Sequence, residues 1–201
     1  MEILPNSIKK LIDLLTFLPS IGPRQATRLA FYLINQGPNE ILKLAQSLNE
    51  LNKIKICSFC FFPHENQGDL CNICQNPERN KKIIMIIEKE TDLISLEKAA
   101  KFNGRYFIIG EVSKKGILDD AQKLKLQNLK NFIQKELGGQ ADEIILAFNP
   151  DTLGNFAAAV IQKEIKDFAK KITRLGRGLP TGGEIEFADD ETLSNAILNR
   201  N

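Results

Sequence analysis

The chain has 201 residues, 43% hydrophobic and 26% charged, with a formal net charge of +2. That balance fits one large globular domain or two to three small ones and excludes the strongly basic class of nucleic-acid binders, so any such contact must come from local clustering. No run of about 18 uninterrupted apolar residues occurs, and MEILPNSIKKLIDLL places its charges after its apolar residues with no small-residue cleavage site, so the expected location is the cytoplasm with no membrane partner.

Residues 5–56 read as helical. SIKKLIDLLTFL carries Ile8, Leu11, Ile12, Leu15 and Leu18 at helical spacing. Pro19, Ser20, Ile21, Gly22 and Pro23 form a tight break, and RQATRLAFYLI follows with Ala26, Leu29, Ala30, Leu33 and Ile34 on one face. Gly37 and Pro38 end it, and Asn39 is placed to cap a third helix, EILKLAQSLNELN. Two short helices joined through LPSIGPRQATRLA have the form of a helix-hairpin-helix, in which backbone N–H groups at the start of the second helix meet a DNA phosphate. Arg24 and Arg28, four residues apart, share a helix face and are the candidate phosphate contacts. The usual hairpin has Gly-x-Gly; here Ser20 takes the first position, and serine tolerates a positive φ poorly. The competing reading is an ordinary helical turn used for packing or dimer formation.

All four cysteines lie in one segment: Cys57 and Cys60, ten intervening residues, then Cys71 and Cys74. In a reducing compartment such pairs point to metal or redox chemistry. Two C-x-x-C pairs complete a tetrahedron of thiolates and leave no open position, so the expectation is one structural zinc ion. The ion would supply the folding free energy that so short a segment lacks. His64, the only histidine, is expected in the loop and not as a ligand; Pro63 and Gly68 suit the turns.

Beyond the cysteines the pattern becomes α/β. KIIMIIE, RYFIIG, EIILAF and KITRL read as strands. Between them lie helices over TDLISLEKAAK, with Thr91 or Asp92 near the cap, over LDDAQKLKLQNLKNFIQKEL, and over LGNFAAAVIQKEIKDFAKK, with Leu153, Phe156, Ala157, Val160, Ile161, Ile165 and Phe168 on one side. Alternation of this kind implies a mostly parallel sheet with helices on both faces. A Gly-rich loop, a short extended piece and a terminal helix finish the chain.

Function in open α/β sheets gathers at the carboxyl ends of strands. Glu88 closes the first strand, and Asn149 and Asp151 follow the third. Acidic residues there could hold Mg2+ for phosphoryl chemistry. Yet Asn149 reads equally as an N-cap, Pro150 as a first-turn residue and Asp151 as a complement to the helix dipole. Asn149 is also neutral, so neither Mg2+ nor catalysis is expected. GRGLPTGGE lacks the order and the lysine of a phosphate loop; beside it, Arg174 and Arg177 read as contacts to phosphate or a neighbouring subunit, or as a solvated loop.

Taken in order, these pieces resemble the bacterial recombination mediator family RecR over nearly the whole chain. LPSIGPRQATRLAFYL looks like its helix-hairpin-helix, and CSFC and CNIC like its zinc-finger pairs. IIMIIEKETDLISLE and IILAFNPDTLGNFAAAVI resemble its Toprim core, and TRLGRGLPTGGEIEFADDETLSNAI matches its C-terminal signature most closely. The resemblance implies a helix-hairpin-helix region at 1–56, a C4 zinc finger at 57–74, a Toprim domain at 80–175 and a C-terminal segment at 176–201. It implies a non-enzymatic DNA repair protein, cytoplasmic and nucleoid-associated, that forms dimers or ring-like tetramers. Such a protein binds single-stranded, gapped or duplex DNA and works with RecO-like and RecF-like proteins to load recombinase. Toprim enzymes use one Glu and an Asp-x-Asp pair with Mg2+; Glu88, Asn149 and Asp151 stand at those positions as a degenerate site. The chain departs from the family at Ser20, over 111–121, and at Leu153 and Asn155, where an acidic run is usual. The competing functions are a Mg2+-dependent Toprim nuclease or primase-like enzyme, and an assembly scaffold without direct DNA contact.

Overall fold

Helical periodicity in the first fifty residues becomes α1 (Asn6–Thr16), α2 (Pro23–Gln36) and α3 (Pro38–Glu50), followed by a 3-10 turn, Leu51–Lys53. The computed structural model describes residues 3–113 and 116–200. Positions 1, 2 and 201, at the ends of the first and last expected segments, and 114 and 115, inside the divergent stretch 111–121, lie outside the described residues. Ala26 and Ala30 are fully buried where α1 packs on α2, because only small side chains let the two backbones approach. Gly37 and Pro38 both interrupt and restart the chain: Gly37 sits at φ 88 as the N-cap of α3 and Pro38 opens it, so Asn39 lies inside the helix and is not its cap.

Two compact units divide the chain, Met1–Ile54 and Lys55–Asn201. The second begins with a small antiparallel pair, β1 (Lys55–Ile56) and β2 (Pro63–His64), and a single turn of helix, α4 (Asn72–Gln75). Pro63 therefore lies in a strand rather than a turn, on a two-stranded ribbon where its missing N–H costs little.

The rest of this unit is an α/β layer. In chain order come β3 (Ile83–Ile87), α5 (Glu90–Lys98), β4 (Arg105–Ile108), α6 (Asp120–Glu136), β5 (Glu143–Leu146), α7 (Thr152–Ile165), a 3-10 turn at Lys166–Phe168, and β6 (Ile172–Arg174). A further 3-10 turn, Ile185–Phe187, takes the place of the expected extended piece, and α8 (Asp190–Leu198) follows. The sheet is wholly parallel, with strand order β4-β3-β5-β6. Side chains alternate across it. Ile84, Ile86, Phe107, Ile144 and Leu146 face one core with α6 and α7; Met85, Ile87, Tyr106 and Ile108 face a second with Leu93 of α5. Burial on both faces is why these strands read as unbroken apolar runs.

Local capping agrees with the sequence expectation at α5, where Asp92 stands near the cap, and differs from it at α7. The N-cap of α5 is Lys89, and Asp92 sits three residues on, its carboxylate accepting the Lys89 N–H at 3.0 Å. The N-cap of α7 is Asp151, extended at φ −116, whose carboxylate accepts the Gly154 N–H at 2.7 Å; Asn149 lies ahead of the cap. The buried face of α7 is Gly154, Ala157, Ala158, Ile161 and Ile165, while Leu153 and Phe156 remain 48% and 45% exposed.

Candidate functional site

The cysteine segment folds as two facing turns. In the first, the Cys57 N–H donates to the Phe62 carbonyl at 3.0 Å and the Phe61 N–H returns to the Cys57 carbonyl at 3.0 Å. In the second, Cys71 caps α4 and Cys74 lies within it, with the Gln75 N–H on the Cys71 carbonyl at 3.0 Å. Ser58 N–H to Asp69 carbonyl, 2.9 Å, ties the turns together. The result brings all four sulfurs within 4.8 Å of one another, each cysteine buried. A tetrahedron with bonds of about 2.3 Å has edges of roughly 3.8 Å, so the donor set fits one thiophilic ion such as zinc. The Cys60 and Cys71 sulfurs are already 3.5 Å apart. Hydrogen bonding from Cys60, Cys71 and Cys74 drives the Cys57 thiol far below its ordinary range. Hydrogen bonding to Cys57 first, with burial adding, pushes Cys60 and Cys74 far above it. Cys71 is also lowered, to about 7, so two of the four thiols favour the thiolate and two resist it, and a divalent cation would relieve the resistance of the second pair.

His64 takes no part in this group: it pairs within β2, and its Nδ1 accepts the Asn66 N–H at 3.1 Å. Two aromatic residues flank Cys60. Phe61 holds a left-handed φ of 64, uncommon for a bulky side chain, and its ring packs against both cores. The Cys60 carbonyl accepts the Ile108 N–H at 3.1 Å, so the cysteine segment lies along β4.

In the N-terminal unit, the hairpin turn closes with the Ile21 N–H on the Leu18 carbonyl, 3.2 Å, and the Ala26 N–H on the Gly22 carbonyl, 2.9 Å. Ser20 adopts φ 64, the left-handed geometry that a glycine would take more readily. α2 has no side-chain cap. Gly22 has an ordinary φ of −83, and a Cβ built on it meets nothing within 4 Å, so its bareness serves no packing among the described residues. Arg24 and Arg28 are exposed and make no ion pair among the described residues. Open N–H groups beside two unpaired guanidinium groups form a surface suited to a phosphate.

The three degenerate positions follow two neighbouring strands at the carboxyl edge of the sheet. Glu88 follows β3 and Asn149 to Asp151 follow β5, its parallel neighbour. Among the described residues, the cysteines form the one group of three or more candidate metal donors, and neither Glu88 nor Asp151 joins another. The Glu88 carboxyl is raised above its ordinary range by burial, partly offset by a backbone hydrogen bond from Val112. Arg174 and Arg177 are engaged within the chain: Arg174 donates to the Asn155 amide oxygen at 3.1 Å and to its carbonyl at 3.0 Å, and Arg177 donates to the same amide oxygen. They line a cavity of about 320 Å³ with Pro150, Gly154 and Asp189.

Sequence reasoning missed Arg105. It opens β4 as part of an apolar run, yet it is 5% exposed, lies against the cysteine segment and donates to the Cys74 carbonyl at 2.7 Å. Its one signal was a charge inside a run otherwise buried on both faces.

Comparison with known proteins matches three stretches: a family described as RecR, helix-hairpin-helix, over residues 8–51; the Toprim domain over 82–176; and RecR, C-terminal, over 178–201. The chain is 38% identical over 198 residues to "Recombination protein RecR" of Dehalococcoides mccartyi, covering 97% of this chain and 94% of that one. It is 34% identical to the protein of that name from Roseiflexus sp., over 99% of this chain and 95% of the other. For that of Gloeobacter violaceus the identity is 35%, with 96% of each covered.

Proposed function

The chain belongs to the RecR family of recombination proteins, which gives it a part in recombination and repair, and we propose that it takes that part as a DNA-binding mediator without catalysis, helping partner proteins load recombinase on single-stranded or gapped DNA. The observation that carries this reading is the condition of the carboxyl edge. Asn149 is neutral, the Asp151 carboxylate is occupied as a helix cap, and the burial of Glu88 disfavours its charged form. A Mg2+ pair needs charged oxygens free to ligate, so the remnant is a scaffold rather than a site of phosphoryl transfer.

DNA contact is assigned to Arg24, Arg28 and the bare start of α2. Salt should weaken it, because phosphate contacts release counterions. RecO-like and RecF-like proteins are the partners this reading requires, in a cytoplasmic, nucleoid-associated setting. A homodimer or homotetramer ring is supported by large apolar side chains left in solvent, among them Phe17 at 90%, Leu14 at 70%, Phe187 at 78% and Leu198 at 77% exposed. The division at 1–56, 57–74, 80–175 and 176–201 is kept as the functional organisation, each part with one task. Cys57, Cys60, Cys71 and Cys74 are assigned one structural zinc ion, which would fix the two cysteine turns together.

Gel-shift titration with gapped DNA, alone and with a RecO-type partner, tests the reading. Binding that falls with salt and with Arg24→Ala/Arg28→Ala is the expected result. No binding in either arm at low salt sinks it, and strand cleavage or synthesis with Mg2+ or Mn2+ that Glu88→Gln abolishes would restore the enzymatic alternative. Metal analysis should return one zinc per chain.

A further inference from the structure

Arg105 is the one Lys or Arg buried among the described residues. A buried guanidinium is costly unless a counter-charge lies near it. Arg105 makes no ion pair among the described residues. Its Nε has no hydrogen-bond partner among the described residues, and its guanidinium donates to a carbonyl, that of Cys74, at 2.7 Å. Its position is held by aromatic faces: the guanidinium carbon lies 5.1 Å from the Phe59 ring and 5.7 Å from that of Phe132 on α6. Phe59 is the residue before Cys60, so the cation is wedged between α6 and both cysteine turns.

Four thiolates on one divalent ion leave two negative charges in excess. Those charges are buried with the cysteines, and no other buried cation is available among the described residues to offset them. The two unbalanced features lie side by side and have opposite sign. We propose that Arg105 is the charge-compensating residue of the metal centre: its guanidinium, fixed by Phe59, Phe132 and the Cys74 carbonyl, offsets the excess negative charge of the tetrathiolate. This rests on the zinc assignment made above. Lys125 of α6 is a weaker second cation against the same segment, its ammonium 4.6 Å from the Phe61 ring and 3.1 Å from the Ile108 carbonyl.

The proposal goes beyond packing, because it requires the charge and not the bulk. Arg105→Met keeps an apolar stem among the rings and removes the charge; Arg105→Lys keeps the charge and removes the planar fork. Competition titration of the full chain with Zn2+ against a chromophoric chelator reads affinity, and Co2+ substitution reads whether four thiolates still bind. Arg105→Met should retain the four-thiolate Co2+ spectrum and bind Zn2+ about 10- to 100-fold more weakly, with Arg105→Lys recovering most of the loss. Wild-type affinity in Arg105→Met, or equal losses in Met and Lys, overturns the proposal. Should Arg105→Met fail to fold, Arg105→Lys decides alone: near-wild-type affinity supports charge compensation, and a loss of tenfold or more refutes it. A wild-type chain that binds neither ion through its cysteines removes the zinc assignment and this inference together, whereas tight wild-type binding with indifferent Arg105 variants removes only the latter.

Discussion

Ser20, Gly154 and Glu88 are each set by a local constraint. Ser20 holds φ 64. The left-handed penalty of about 1–2 kcal/mol outweighs the extra unfolded-state freedom of glycine, roughly 0.5–1 kcal/mol, so Ser20→Gly should stabilise the chain slightly. The check is a rise in the urea midpoint. Gly154 is the opposite case: a Cβ there would stand 2.0 Å from the Asn149 carbonyl oxygen, a backbone atom that cannot swing aside. Gly154→Ala should lower stability by about 1–3 kcal/mol in the same titration, because the first turn of α7 must shift. Glu88 has a carboxyl raised by burial. A raised carboxyl favours the folded chain fully below its unfolded pKa and loses that contribution as pH rises through the folded value. Glu88→Gln should accordingly raise Tm at pH 7 and leave it nearly unchanged at pH 4; a gain at pH 4 equal to that at pH 7 would show that burial of charge is not the cause.

At the scale of elements, the start of α2 is the feature with the clearest consequence. Gly22 needs neither an unusual φ nor space within the chain. Gly22→Ala should then leave the thermal midpoint as it was while weakening gapped-DNA binding in a gel shift, since only an external ligand would meet the new methyl group. α6 offers a contrast, for its cap is internal: the Asp119 carboxylate accepts the Gln122 N–H at 2.7 Å, and the Gln122 side chain returns to the Asp119 N–H at 3.1 Å. Elements of this sort were legible because their signals are local. The Ile-rich strands, the paired cysteines and the breaks at 19–23 and 37–38 each follow from a few neighbouring residues. Asn149 and Asn39 misled because several adjacent residues could cap, and backbone geometry chose among them. The expected face of α7 holds at Ala157, Ile161 and Ile165 but not at Leu153 and Phe156, for a different reason: the sheet needs small residues at close approach, so Gly154, Ala157 and Ala158 turn inward and the larger Leu153 and Phe156 turn out. Arg105 was illegible because its partners, Phe59, Phe132 and Cys74, come from three separate stretches of chain.

On the scale of the whole molecule, the cysteine segment belongs with the α/β unit, since all four cysteines share a core with β3, β4, β5, α6 and α7. An ion bound by those cysteines would therefore stabilise that unit as a whole rather than a local finger alone. β4 is the outermost strand on its side of the sheet, and all four of its residues are buried. The Ile108 N–H donates to the Cys60 carbonyl and the Ile108 carbonyl accepts from Lys125, so the cysteine segment covers part of that flank. A chain stripped of its ion would thus be adhesive as well as loosened: an apolar strand with unpaired N–H and C=O groups is a template for a like strand from another chain. Chelation should produce concentration-dependent particles, visible by light scattering before far-UV signal is lost, and prompt return of zinc should prevent them. Dispersed, monodisperse apo chains would show that the flank is guarded by something other than the metal. On the zinc assignment proposed above, the ion would then act as a guard against disordered self-association as well as a source of folding free energy.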